Sequence, residues 1–461
     1  MALAIDDSDL ASPMQPKPGS AKFVTGNLLR HITVMSLTAS VGLMAVFSVD
    51  LVNMVFISML GDAAITAAVG YAGVLLFFTT SFGIGLSIAV SALVARAIGA
   101  RDFARARQAA THGLVLGTLF GVGFSAAVWL ALPWLVGLLG ATGETAAHAV
   151  HFLRIVTPAQ PLLMVGMIGG AILRSHGDAR RAMMATIWGA AANAVLDPVL
   201  IFGLGLDLTG AAIASVVARL VIAAVALLPI LRHHGGLDRP SLAGLRADLA
   251  AVAGIAGPAI LTQLATPVGQ ALVTRIVAGY GEAAVAGMAI TGRMTPVALG
   301  VIFALSGAIG PIIGQNYGAG RMDRVRRAFL DGLLFTAVVI GTVTLLLFAF
   351  RAPIADLFGA TGVTRELIYL FCGPLCLLFF FNGAIFVANA ACNNLGVPFQ
   401  STLVNWGRHT IGTVPFALWL GAVWGPGGVL IGQGVGGVLF GMLAVWLALR
   451  TIAATPPPVP F

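Results

Sequence analysis

Residues 32–59 read ITVMSLTASVGLMAVFSVDLVNMVFISM, 28 positions with one ionisable side chain, Asp50. As a helix rising 1.5 Å per residue, this run is about 40 Å long, more than the ~30 Å hydrocarbon core of a bilayer. The rest of the chain has the same character: of 461 residues, 59% are hydrophobic and 9% are charged, and the mean hydropathy is +0.99. An average soluble domain carries roughly 25% charged residues. A water-soluble fold of this length would have to clothe its core in Lys, Glu, Asp and Arg, which this sequence lacks, so lipid is its main solvent. Charged or Gly/Pro-rich breaks divide the chain into about twelve apolar spans. Six lie near 32–59, 64–97, 109–138, 147–173, 182–204 and 208–231, and six near 249–279, 284–316, 328–355, 366–391, 400–421 and 426–450.

The short connections alternate in charge. One set holds Lys17, Lys22 and Arg30, then Arg101, Arg105 and Arg107, Arg180 and Arg181, Arg232, Arg239 and Arg246, and Arg321, Arg324, Arg326 and Arg327. The other carries Asp62, Glu144, Asp207 and Glu282, with Arg351 and Arg365 as exceptions. Cytoplasmic loops retain Lys and Arg, so both termini are expected in the cytoplasm of a multi-pass protein of the cell membrane, the inner one where there are two. The net charge of +8 is spread over these loops, which argues against a nucleic-acid surface. Cys372, Cys376 and Cys392 lie in apolar stretches with no His cluster beside them, so neither a disulfide framework nor a thiolate metal site is expected. Asp6, Asp7 and Asp9 precede any apolar run, the reverse of a signal-peptide start, and residues 1–31 are read as a cytoplasmic tail. Residues 451–461, with three successive prolines, form a second tail.

The two halves repeat at a separation of about 220 residues. Gly61-Asp62-Ala63-Ala64 matches Gly281-Glu282-Ala283-Ala284; Gly99-Ala100 and Arg101 match Gly318-Ala319 and Arg321; Ala141-Thr142-Gly143 matches Ala360-Thr361-Gly362; Gly177 matches Gly396. Six spans per half is an even number, so the halves share one orientation, related by an axis along the membrane normal. The expected architecture is therefore an all-α membrane protein with two pseudo-symmetric six-helix bundles. The first covers residues 32–232 and the second residues 249–450, joined by a cytoplasmic linker at 233–248.

Ionisable groups inside the spans mark sites of function, because an ionised carboxylate there costs several kcal/mol unless paired, hydrated or protonated. Only Asp50 and Asp197 of the seventeen acidic residues fall well inside apolar runs. A buried acid that merely holds helices together is one reading; a coupling site for protons or cations answers the cost better. Counted from the outer helix ends, Asp50, Asp197 and Ser215 share a level roughly 10 to 13 Å deep. Asn193 is one turn deeper on the face of Asp197. Two carboxylates, an amide oxygen and a hydroxyl are hard oxygen donors suited to sodium or a proton network. Pro198 leaves the carbonyl of Ala194 without its donor and bends the chain beside the acid. Arg219, one turn beyond Ser215, is expected to pair with Asp50, Asp197 or a substrate anion, with a purely structural partner beside a hydrated cavity as the equal alternative; reaching the carboxylates would tilt the coupling toward protons. Arg293, Gln263 and Gln270 are further candidates for a substrate cavity, with interhelical packing as the plainer alternative.

The six-helix repeat, Gly314-Gln315-Asn316-Tyr317 followed by Gly-Ala-Gly-Arg, and Asn193-Ala-Val-Leu-Asp197-Pro198 resemble the multidrug and toxic compound extrusion (MATE) family over nearly the whole chain. The DinF-like branch is the most similar, because the intramembrane acids lie in the first half. The resemblance implies a V-shaped pair of bundles that works by alternating access. It also implies a coupling ion, H+ or Na+, held by Asp50, Asn193, Asp197, Ser215 and the carbonyl of Ala211. The expected function is export of small organic molecules in exchange for that ion, by a monomer that needs no cofactor and binds no nucleic acid. Two alternatives stay open. A lipid-linked saccharide flippase would want a strongly basic cavity, for which Arg219 and Arg293 are the deep candidates. A membrane-embedded transferase would want a reactive cluster in a long loop.

Overall fold

The computed structural model describes residues 21–457, and the regular structure it contains is helical throughout. The N-terminal acidic stretch, Lys17 and the chain after residue 457 lie outside the described residues. The first lobe contains α1 (Leu28–Ser58), α2 (Ala63–Gly99), α3 (Phe103–Leu138), α4 (Gly143–Val156), α5 (Gln160–Ser175), α6 (Ala179–Pro198) and α7 (Asp207–His233). The second contains α8 (Leu242–Ala278), α9 (Glu282–Ala298), α10 (Gly300–Gly318), α11 (Met322–Ala349), α12 (Arg351–Leu357), α13 (Gly362–Leu370), α14 (Cys376–Leu395), α15 (Pro398–His409) and α16 (Val414–Ala454). Side chains cap several starts: Asn27, Asp62, Asp102, Asp178 and Ser241 each accept a backbone N–H from the first turn that follows.

Ten segments are long and apolar enough to cross a membrane, and α9 with α10, bent by 49° at Leu299, makes an eleventh. The segment Pro398–Ala454 counts once among the ten, yet its 57 residues would rise about 85 Å as one rod. It folds back at Trp424 and Gly425, where Gly425 takes φ 62° and ψ −150°, a conformation open to glycine alone. Beyond the turn, Gly428, Gly432 and Gly436 sit directly on the backbone of Leu420, Ala417 and Gly412. A Cβ on any of the three would come within 2.0, 2.5 or 2.3 Å of those main-chain atoms. Residues four apart share a helix face, so the glycines form one seam and the segment crosses twice, which brings the crossings to the expected twelve.

The repeat is written in the backbone as well as in the sequence. Left-handed residues recur in step: Gly61 with Gly281, Gly140 with Gly359, Gly143 with Gly362, Gly177 with Gly396 and Gly205 with Gly425. One expected match shifts by a residue. Arg101, at φ 61°, is the counterpart of Gly320, at φ 71°, and not of Arg321.

The arginine-rich connections gather at one end of the molecule. Arg107 meets Asp238 there and His234 meets Asp178, while Pro457 lies over Gly320, so both described termini share this basic end. The lobes cross on their pseudo-twofold axis at the same end. A Cβ on Gly99 would stand 2.0 Å from the carbonyl of Gln315, and one on Gly318 would stand 1.9 Å from the carbonyl of Arg96. Gly99 and Gly318 are 219 residues apart, as are Arg96 and Gln315, so each half presents to the other the same self-complementary surface. The segment before α1 is stitched beneath this crossing. Phe23 N–H donates to Gln315, its carbonyl accepts from Asn316 and Arg324, and Lys22 donates to the Gly177 carbonyl of the first lobe.

Candidate functional site

The site in the first lobe is built where α1, α6 and α7 meet. Gly189 of α6 stands against Ile222 of α7, and Gly210 at the start of α7 lies on the Leu200–Ile201 backbone. Both contacts fit one antiparallel register, in which Asp197 comes level with Ile213 and Ala214, next to Ser215. The α1–α6 pair is fixed in the same way: Gly42 sits on Met183 and Thr186, and the ring of Phe56 packs edge-on against Phe202. Parallel advance between those contacts brings Asp50 level with the turn that carries Asn193, and Asn53 level with Asp197. Ala211 is buried, in one hydrophobic cluster with Ile57 and Ile201.

The two carboxylates stand in different surroundings. Asp197 is 1% exposed, and its Oδ2 has no hydrogen-bond partner. Asp50 is exposed, and neither acid forms an ion pair among the described residues. At 100° per residue, Asp50 lies within about 40° of Ile57, which packs into the first lobe, and of Met54, which faces Arg293 of the second. Asp50 thus borders the space between the lobes while Asp197 is closed inside one of them. Pro198 ends α6, and the chain widens into a π turn, Val199–Gly203, beside the buried acid.

Asn193 Oδ1 and Asn53 Oδ1 are also buried without partners. Buried polar atoms are paired in the great majority of cases, so three orphaned acceptor oxygens on two adjacent helices, within about one helical turn of each other, form a cluster that only a proton, a donor or a cation satisfies. Asn53 is absent from the sequence-based expectation. Its three-residue spacing from Asp50, nearly one helical turn, is the available signal, and an uncharged amide in an apolar run does not stand out by charge.

Arg219 corrects an expectation. Its Nη1 donates to the Val156 carbonyl at 2.8 Å, and it pairs with neither aspartate. The reason lies in the break after α4: in the 3-10 turn Thr157–Ala159, Gln160 N–H bonds Thr157 in place of Val156, and the freed carbonyl takes the guanidinium. Arg293 is exposed, with Nη2 3.6 Å from Met54 Sδ across the lobes. Gln263 is half-buried and Gln270 exposed, both on α8 and apart from the first-lobe cluster. The two deep arginines anticipated for a cavity are not the whole set, since Arg408 also lies within an apolar span and forms no ion pair among the described residues.

Apart from the Arg293–Met54 contact, the side-chain hydrogen bonds between the lobes lie toward the basic end. Arg105 and His112 hold Asp248, Gln315 Nε2 donates to the Ser175 carbonyl at 2.7 Å, and Arg96 Nη2 donates to the Asn393 carbonyl at 2.9 Å.

Comparison with known proteins agrees with the two-lobed helical fold. The MatE family model matches residues 39–199 and 258–419, two stretches that begin 219 residues apart. A protein of Shewanella oneidensis named "FAD transporter" is 30% identical over 428 residues, covering 91% of this chain and 94% of its own. The "Multidrug export protein MepA" of Staphylococcus saprophyticus is 24% identical over 70% of this chain and 72% of its own. Among solved structures, a point mutant of the Vibrio cholerae MATE transporter VcmN superposes with a TM-score of 0.87 at 25% identity, covering 92% of this chain and 96% of that one. A transporter from Pyrococcus furiosus, described as having a binding pocket of reversed polarity, gives a TM-score of 0.87 at 23% identity, with 95% and 99% covered.

Proposed function

This chain belongs to the MATE family of multi-pass membrane transporters, and on that premise we propose that it exports small organic molecules in exchange for protons or sodium ions by alternating access. The observation that carries the exchange is the cluster of orphaned oxygens on Asn53, Asn193 and Asp197, with the Asp50 carboxylate within about one helical turn of them. Empty, such a cluster leaves buried acceptors unsatisfied; a proton or a sodium ion satisfies them, so ion occupancy supplies free energy that can change the shape of the first lobe. Asp50 at the edge of the inter-lobe space is the entry point, and Asp197 with Asn193 the inner seat. Ser215 and the Ala211 carbonyl of α7 complete the seat from the opposite side. The basic end is taken to be cytoplasmic, with both termini there.

The FAD transporter and MepA, both named for small molecules, support an exporter of that class over a lipid-linked saccharide flippase, and FAD is a reasonable first cargo to test. The test is transport in proteoliposomes under an imposed pH or sodium gradient, with FAD and a cationic dye as cargoes. Uptake driven by one gradient identifies the coupling ion. Equal uptake with and without both gradients would overturn the antiport reading.

A further inference from the structure

The second lobe carries no carboxylate at the depth of the first-lobe cluster. Its acids, Asp248, Glu282, Asp323, Asp331, Asp356 and Glu366, lie toward helix ends. It does carry Arg408 and His409, at the close of α15 and about 15 Å in from Pro398 at the basic end. The helix breaks directly after them, at Thr410–Thr413, before α16 resumes. Irregular backbone at such depth is tolerated where it is enclosed by protein or lines a cavity.

The side-chain hydrogen bond that leaves this pair uses it as a donor. Arg408 Nη1 donates to Asn382 Oδ1 of α14, and Nη2 donates to His409 Nε2. A guanidinium has five N–H donors and no acceptor, so the His409 nitrogen it faces must accept, and the imidazole proton sits on Nδ1. That Nδ1 is buried without a partner, on a residue 5% exposed. No carboxylate neutralises the group. Donors in excess around an unpaired cation ask for an acceptor with negative charge.

The pseudo-symmetry says what this place is. The matched halves are offset by 219 residues, so the counterpart of Asp50 is Gly269. The His409 ring lies against that glycine: a Cβ on Gly269 would stand 2.1 Å from Nδ1. Arg408 is likewise the counterpart of Gly189, the small residue that lets α6 and α7 meet. Where the first lobe sets an acid, the second sets an imidazole and a guanidinium, at nearly the same depth.

We propose that Arg408, with His409 and Asn382, forms an anion-recognition site in the second lobe that takes a phosphate or carboxylate group of the exported molecule. This rests on the reading of the chain as an exporter, with the ion in one lobe and the charged end of the cargo in the other.

The test is equilibrium binding to the purified full chain in detergent, without any gradient, by fluorescence of FAD, FMN, riboflavin and a carboxylated fluorescein. FMN and FAD are expected to bind at least tenfold more tightly than riboflavin, which has the same ring system and no phosphate. Arg408→Gln should weaken FMN and FAD at least tenfold and leave riboflavin unchanged, and Arg408→Lys should recover part of the loss. Binding of the carboxylated dye with the same dependence on Arg408, in place of the nucleotides, assigns the site to carboxylates. Arg408→Gln that melts at a lower temperature yet binds every anion as before means that the residue only braces the helix end, and overturns the proposal. Wild type that binds no anion also overturns it. Should Arg408→Gln fail to fold, competition by inorganic phosphate for FMN on the wild type decides: displacement supports the site and its absence counts against it. Because no gradient enters, missing transport in proteoliposomes bears on the exporter reading alone.

Discussion

Arg105 of the first lobe and Asp248 of the second are joined by two parallel hydrogen bonds of 2.9 and 2.5 Å, with His112 Nδ1 on the same carboxylate at 2.6 Å. Opening of the basic end has to break this link. Arg105 is 37% exposed, so solvent screens part of its share, and the link contributes roughly 1–2 kcal/mol. Asp248→Asn should therefore raise the population open at the basic end about five- to thirtyfold. Spin labels at Gln108 and Arg246, read by pulsed distance measurement, should show a new longer component; an unchanged distribution would show that the link does not hold the lobes together.

The orphaned oxygens of the first lobe predict a graded series. Asp197→Asn should lower gradient-driven export at least tenfold with normal membrane insertion, because the amide cannot exchange a proton and binds a cation poorly. Asn53→Ala removes one neutral oxygen and should cost less, roughly three- to tenfold. Initial rates in vesicles of matched protein content check both. Equal rates for Asp197→Asn and wild type would remove the acid from the mechanism.

A cluster outside the membrane predicts the response to pH. Between α5 and α6, His176 stacks on His234 at 4.5 Å, and His234 contacts Asp178. Burial, with the charge of His234, pushes His176 down to about 4. Burial would raise Asp178, yet its hydrogen bonds from His234 and Arg181 outweigh that and hold it at about 2. A histidine held below its ordinary 6.5 is kept neutral by the fold while the unfolded chain takes up the proton, so stability falls as pH drops from 6.5 toward 4. The Asp178 contribution is present above 3.8 and is lost only as pH falls toward 2. His176→Gln should flatten the melting temperature across pH 4 to 6.5 by roughly 2 °C or more. The same slope in the variant and the wild type would place the sensor elsewhere.

The glycine seam predicts a strong steric effect from a small change. Gly432→Leu must displace the main chain of Ala417, at a cost of about 3 kcal/mol or more. Gly427, with only Leu370 at 3.6 Å, should tolerate alanine far better. Thermal unfolding of the two variants in detergent compares them directly, and equal loss would mean that the arms are not held backbone to backbone.

Much of the architecture is legible in composition and spacing, because a bilayer demands long apolar helices and the repeat leaves its glycines and turns in step. Asp50 and Asp197 stand out for the same reason, as charges where charge is costly. The partner of Arg219 is not legible, because it is a main-chain carbonyl freed by a helix break sixty residues away, a fact with no trace in side-chain identity. Arg408 and His409 fall near the middle of the 400–421 span, but only the fold shows that a helix ends there and that Gly269 clears room for the imidazole.

The side-chain-free seam between the arms of α16 also constrains motion. Two rods locked main chain to main chain cannot slide past each other or splay, so the last two crossings travel as a single strut whenever the second lobe rocks. Flexing is left to the 49° elbow beside Leu299 and the π turn Phe371–Leu375, while the irregular turn after His409, packed through Gly412 on Gly436, travels with the strut and carries the anion cradle along.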